Sequence, residues 1–199
     1  MNVPYYAQWE TPSMIKDFLS KDAAPSQDPN WENSGAPSPE AYEKWSGHIC
    51  GMACLKMALA YYTGTTFSLF HILNLAIQYG AYKESSGNIA GMIYAPAVNM
   101  LQQEFNITSK VLAPIAIDDV QQQWNDSRLF IASVHPSIRQ TDTSPPARGG
   151  HLVLVTNITS KEITFHNPSG SDPASQINVT LEHHDFNRFF AQRGILLTG

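Results

Sequence analysis

A cysteine followed by glycine, Cys50-Gly51, opens a run of strong helix formers that reaches Tyr62. The thiolate is the nucleophilic form of cysteine. A helix N-terminus favours it, because free backbone N–H groups and the helix dipole stabilise negative charge there. The Cys50 N–H is then placed to help hold an oxyanion, and Gly51 leaves room for a substrate carbonyl to approach the backbone. The competing reading makes Cys50 a small buried hydrophobe, as free cysteines often are. Cys54, one turn deeper in the apolar stripe, reads as core.

A cysteine nucleophile needs a base, and the chain has seven histidines. His151 stands in GGHLVLVT, at the start of a strongly patterned strand behind two glycines, where a side chain can face a cleft. His183 and His184 fall in a polar helical stretch and read as solvent-facing. His71 reads as a structural histidine, His48 as a residue lining the cleft, and His135 as a strand end without an obvious partner. A third group would orient the imidazole and fix its tautomer. EITFHNPSG places Asn167 at the end of the next strand. If the two strands form a hairpin, His151 and Asn167 meet at its open end, with His166 on the opposite face. Asn167-Pro168 is equally readable as a plain turn.

The elements that must position these residues follow from periodicity. Residues 2–7 read as an opening strand or extended arm. Residues 9–48 hold five prolines and few aliphatics. They read as a long ordered loop or lid with one short helix over 13–19, and loops of that length are usually functional. Helices are expected over 50–62, 68–79 (Ser68 as N-cap, Gly80 as C-cap), 95–105 and 117–125. Short strands rich in β-branched residues are expected over 109–112, 128–135, 151–158, 162–167, 177–180 and 194–198, with a helical piece over 181–192. Helices first and an antiparallel meander afterwards is the α+β pattern, with helices packed on one side of a sheet. Trp9, Trp31 and Trp45 read as anchors for the long loop, with an apolar subsite as the alternative.

The composition excludes several classes. The chain has 199 residues, enough for one domain over 1–199 with a sizeable core. Hydrophobic residues make up 43% and charged residues 15%, which argues against a disordered chain. The net charge is −5 with no basic patch, so nucleic acid is not expected as a partner. The longest apolar stretch is too short to span a bilayer. Two cysteines four positions apart on one helix suit neither an unstrained disulfide nor a four-cysteine zinc site. Neither metal nor cofactor is expected. The N-terminus has no basic and apolar leader pattern, which points to the cytosol or to a secreted protein with its leader trimmed. The oligomeric state is not written in the sequence.

Taken in order, VPYYAQ, WSGHICGMACLKMALAYYTG, GGHLVLVTNI, ITFHNPSG and DFNRFFAQRGILLTG resemble the blocks of C39-like cysteine peptidases, which belong to the papain-like superfamily. The resemblance runs from Val3 to Leu197, with residues 9–48 as an inserted stretch. It implies a papain-like fold, an amide-cleaving activity through a thioester, and a peptide or protein substrate. Residue by residue, it makes Cys50 the nucleophile, His151 the general base and acid, and Gln8 the residue whose side-chain amide helps form the oxyanion hole. Asn167 falls where the family usually has Asp, giving a Cys-His-Asn set. In many members the glutamine lies much nearer the cysteine than Gln8 lies to Cys50. The same site chemistry also fits deamidation, transpeptidation or peptidoglycan amide cleavage, and a scaffold of this kind also fits a non-catalytic peptide-binding domain.

Overall fold

The structure is a computed structural model and describes residues 2–199. The chain starts as an extended arm, not a paired strand, and the arm lies along residues 166–168. The His166 ring Nε2 lies 3.0 Å from the Val3 carbonyl, the Tyr5 hydroxyl donates to the Asn167 carbonyl (3.1 Å), and the Gln8 N–H donates to the Pro168 carbonyl (2.9 Å).

The inserted stretch is more structured than its proline content suggests. It holds helix α1 (Ile15–Ser20), short 3-10 turns at Pro25–Gln27 and Trp31–Ser34, and helix α2 (Pro39–Ser46). Ser38 caps α2 by accepting from the Ala41 N–H, and Pro39 occupies its first position. Buried Asp28 organises the whole stretch. Its carboxylate accepts from the N–H groups of Glu10, Thr11 and Asn30, from the Thr11 hydroxyl, and from the Tyr42 hydroxyl at 2.7 Å. Such charge-assisted bonds are what allow a carboxylate to stay buried. Trp9 is buried against Phe18 and Trp45 packs edge-on to Tyr82, the anchoring role expected of them.

Three helices follow as the periodicity predicts: α3 (Cys50–Thr63), α4 (Leu69–Gln78) and α5 (Tyr94–Phe105). Gly64 ends α3 in the left-handed conformation, and Ser68 caps α4 by accepting from the His71 N–H. The α3 helix is buried on every side from Gly51 to Leu59, well beyond the single stripe expected. Even Lys56 is buried; it pairs with Glu10 at 3.5 Å and lies over the Tyr6 ring, so it ties the N-terminal arm to the helix. Between α4 and α5 a small hairpin, β1 (Glu84–Ser85) and β2 (Asn88–Ile89), turns over Ser86-Gly87.

The main sheet contains β3 (Ser109–Leu112), β4 (Leu129–Val134), β5 (His151–Ile158), β6 (Glu162–His166), β7 (Val179–Glu182) and β8 (Phe190–Leu197). Every pairing is antiparallel, in the order β3-β8-β4-β5-β6-β7. β4 to β7 form the expected meander, and β8 returns across it to lie between β3 and β4. The remaining helices are α6 (Ile117–Gln122), α7 (Pro173–Gln176) and α8 (His183–Phe189).

Alternation along the central strands gives the sheet two apolar faces. Leu129, Ile131, Leu152, Leu154 and Ile195 join the core of α3, α4 and α5. Phe130, Ala132, Val134, Val153 and Val155 join a second core closed by α6 and α8 through Val120, Phe186 and Phe189. The N-terminal helices thus pack on the sheet as the α+β pattern implies, and a second helical layer covers the other face. Two covered faces explain why β4 and β5 read as unbroken apolar runs. No helix among the described residues is long and apolar enough to cross a membrane.

Candidate active site

Cys50 is the first residue of α3. The preceding residue, Ile49, is a poor N-cap and gives no side-chain hydrogen bond to the first turn. The leading N–H groups of the helix therefore stay open to another acceptor. The Cys50 sulfur lies beside them. The N–H groups of Leu152, Gly51 and Cys50 itself face it, and the Arg139 guanidinium stands near it. Burial pushes the Cys50 thiol up from its ordinary value, and these donors and Arg139 oppose the rise. Cys50 keeps partial exposure, whereas Cys54 is fully buried and burial lifts its thiol further.

Because α3 packs against β5, the sulfur lies against the strand that begins with His151. The β4–β5 register sets His151 opposite Val134, and the β5–β6 register pairs Leu154 with His166. Continued past the strand end, that register carries residues 167–169 back toward residue 151. The Asn167 Oδ1 lies 2.8 Å from His151 Nε2. The Ser169 backbone N–H also donates to Asn167 Oδ1 (3.2 Å), which fixes the amide with its oxygen toward the ring. Nε2 must then carry the proton, and Nδ1 is left as a bare acceptor with no hydrogen bond among the described residues. The hairpin expectation for His151 and Asn167 is therefore what the fold contains. His166 faces away, its two nitrogens engaged by the Val3 carbonyl and the Asn178 N–H. Burial pushes the His151 ring down to about 3, Arg139 adds to the fall, and the bond to Asn167 opposes it.

Gln8 reaches the same cleft despite its distance in sequence. The Gln8 Nε2 donates to the Ser46 carbonyl at 2.8 Å, so one bond closes the two ends of the inserted stretch and sets Gln8 near the start of α3. Among the described residues the second Nε2 hydrogen is unused and the buried Oε1 has no partner. Cys50, His151, Gln8 and His48 all line one cleft of about 720 Å³. It is lined by α3 and the β2–α5 segment, by Phe18, Leu19, Pro25 and Glu43 of the inserted stretch, and by residues of and beside the sheet.

Four readings need correction. Gly51 does not open space for a substrate: a side chain there would meet Met92, Tyr82 and Leu152 at 3.0–3.1 Å, so the glycine serves helix–sheet packing. His183 is not free in solvent, since its ring bonds Asp118 and the Thr159 carbonyl. His71 is an exposed residue stacked on Phe67. His135 has a partner, Ser137.

Two residues of the site were not foreseen. The Ser169 hydroxyl lies 3.1 Å from His151 Nε2, and Arg139 donates to it through both Nε and Nη2 (3.0 and 2.6 Å) and to the Ser169 carbonyl (2.8 Å). The only sequence signals were the turn composition of NPSG and the polar character of 136–149, which place residues on loops but not against one another.

The family model described as "Peptidase_C39 like family" matches residues 1–194. The chain belongs to that family. Among solved structures, the C39-like protein is similar to the peptidase domain of Streptococcus ComA, a bifunctional ABC transporter involved in a quorum-sensing pathway. That match has 14% identity and a TM-score of 0.52, covering 76% of this chain and 92% of that one. It is similar as well to a Bacillus anthracis protein described as a C39-like peptidase, with 12% identity and a TM-score of 0.54, covering 76% of this chain and 89% of that one. At such identities the likeness speaks for the fold, which is that of the C39 peptidase domains and papain-like. No curated protein matches the chain.

Proposed function

We propose that the protein is a cysteine peptidase, hydrolysing an amide bond of a peptide or protein through a thioester on Cys50. The observation that carries this reading is the His151 tautomer. Asn167 holds the proton on Nε2, leaving Nδ1 as the basic nitrogen in the cleft that Cys50 shares. With the imidazole low and the thiol high, the resting pair at neutral pH is a thiol and a neutral ring, not an ion pair. The ring therefore acts as a general base during attack.

In the first step the Cys50 proton passes to His151 Nδ1 and the sulfur forms a bond to the amide carbonyl carbon. The resulting oxyanion accepts from the Cys50 N–H and from the unused N–H of Gln8. His151 returns the proton to the leaving amine as the C–N bond breaks, and the acyl group stays on sulfur. Water, deprotonated by the same nitrogen, then releases the acid and the free thiol.

The test is turnover of internally quenched peptide libraries. Wild-type protein should cleave a subset, and Cys50→Ala and His151→Ala should each lose cleavage while keeping the native unfolding transition. Undiminished cleavage by folded Cys50→Ala, or no cleavage of any library by the wild type, would overturn the proposal.

A further inference from the structure

Arg139 is half-buried at the edge of the cleft, and burial pulls its guanidinium below the ordinary arginine value. Taking a cation out of water is costly unless an anion or several acceptors replace the solvent. Ser169 supplies acceptors for Nε and Nη2 only. Nη1 makes no hydrogen bond, and Arg139 pairs with no carboxylate among the described residues. The same cleft is lined by Arg193, exposed and also without a carboxylate partner among the described residues. Glu43, the one acidic residue among the described residues lining the cleft, belongs to α2, the helix that runs toward Gly47 and His48. In a chain of net charge −5, the cleft thus carries two arginines, with Arg139 near the His151 ring.

A guanidinium with an open edge is suited to a carboxylate, which accepts two parallel N–H bonds from it. Arg139 is also fixed by its three bonds to Ser169, so little side-chain freedom would be lost on binding. We infer that Arg139, assisted by Arg193, forms a carboxylate-binding subsite next to the scissile bond. The protein therefore selects substrates carrying an acidic group there, either an Asp or Glu side chain or the free C-terminal carboxylate of the peptide. This rests on the cleft being the peptide-binding site proposed above.

Binding separates the two claims. The Cys50→Ala protein binds substrate without turning it over. Fluorescence anisotropy with paired peptides, Glu against Gln at each position and free acid against amide at the C-terminus, reads the subsite alone. The acidic member of one pair should bind about ten- to hundredfold more tightly. The pair that responds tells a side-chain carboxylate from a terminal one. Arg139→Gln in the same background should remove most of that preference, Arg139→Lys should keep part of it, and Arg193→Ala should weaken it. Equal binding of all acidic and neutral pairs would overturn the subsite before any arginine variant is made. A preference that survives in Arg139→Gln would overturn it equally. A clear preference with no cleavage by the Cys50 protein would sustain the subsite and defeat the peptidase reading. Cleavage without preference would do the reverse, and neither binding nor cleavage would defeat both.

Discussion

Asn167 offers the sharpest separation of orientation from charge. Its Oδ1 accepts from the His151 Nε2–H and the Ser169 N–H, and more distantly from the Ser169 hydroxyl at 3.5 Å. In Asn167→Ala the Ser169 N–H loses its acceptor outright, and the ring keeps only the Ser169 hydroxyl at 3.1 Å. An unsatisfied buried donor costs about 1–3 kcal/mol. The two together should lower stability by about 2–4 kcal/mol, a fall of roughly 4–16 °C in Tm for a chain of this size. The activity loss has a separate origin. The imidazolium formed during attack loses a hydrogen bond to its Nε2–H, worth about 1.5–3 kcal/mol when one partner is charged. Felt in the transition state, that is about 10- to 150-fold in kcat/KM. Asn167→Asp keeps the acceptor and adds the negative charge usual at this place in the family. It should retain most of the stability and raise the His151 ring, moving the acidic limb of kcat/KM to higher pH. The assays are thermal unfolding and kcat/KM against pH on one cleaved peptide. If Asn167→Ala keeps wild-type kcat/KM and an unchanged pH profile, the tautomer argument is wrong.

Other consequences are testable on the folded protein. The His151 ring is held near 3 against an ordinary 6.5, so the unfolded chain takes up its proton first as pH falls. Its contribution to stability is full above pH 6.5 and is lost progressively toward pH 3. Between pH 7 and pH 5 this is about 2 kcal/mol from His151, and buried His166, also lowered, adds to it. Urea unfolding at the two pH values should show the loss, and His151→Gln should reduce it; an unchanged difference would contradict the shift. Asp28→Ala should loosen the inserted stretch and speed limited proteolysis within residues 9–48, at a stability cost of about 2–4 kcal/mol; protection equal to wild type would show that the carboxylate is not its organiser. Gly51→Ala should cost about 1–3 kcal/mol through overpacking against Met92, Tyr82 and Leu152, read as a lowered urea midpoint, and a neutral effect would mean that the helix–sheet contact yields easily.

What the sequence made legible were features written in short-range pattern. The α3 helix shows in its unbroken run of helix formers and its closing glycine, and β5 in eight consecutive residues that fit a strand buried on both faces. The pairing of His151 with Asn167 follows from hairpin geometry alone. Helix α2 was hidden because the prolines around it dominate the composition, although Ser38-Pro39 is a proper start signal. In sequence the beginning of β8 reads as helix, because Phe190 continues the aromatic pattern of α8. Ser169 and Arg139 lie on separate loops that meet only once the sheet and the N-terminal arm are in place. The position of Gln8 depends on a single bond across the inserted stretch, which no local pattern records.

In the proposed mechanism Cys50 is the nucleophile and rests as a thiol beside a neutral imidazole. Its most direct measurement is the iodoacetamide alkylation rate of the native protein from pH 4 to pH 10, with the modified residue mapped by mass spectrometry. One adduct is expected, on Cys50, absent in Cys50→Ala, whose rate climbs from neutral into alkaline pH with no fast plateau on the acid side. An adduct on Cys54 in the native protein, or rapid labelling that persists down to pH 4, would contradict it.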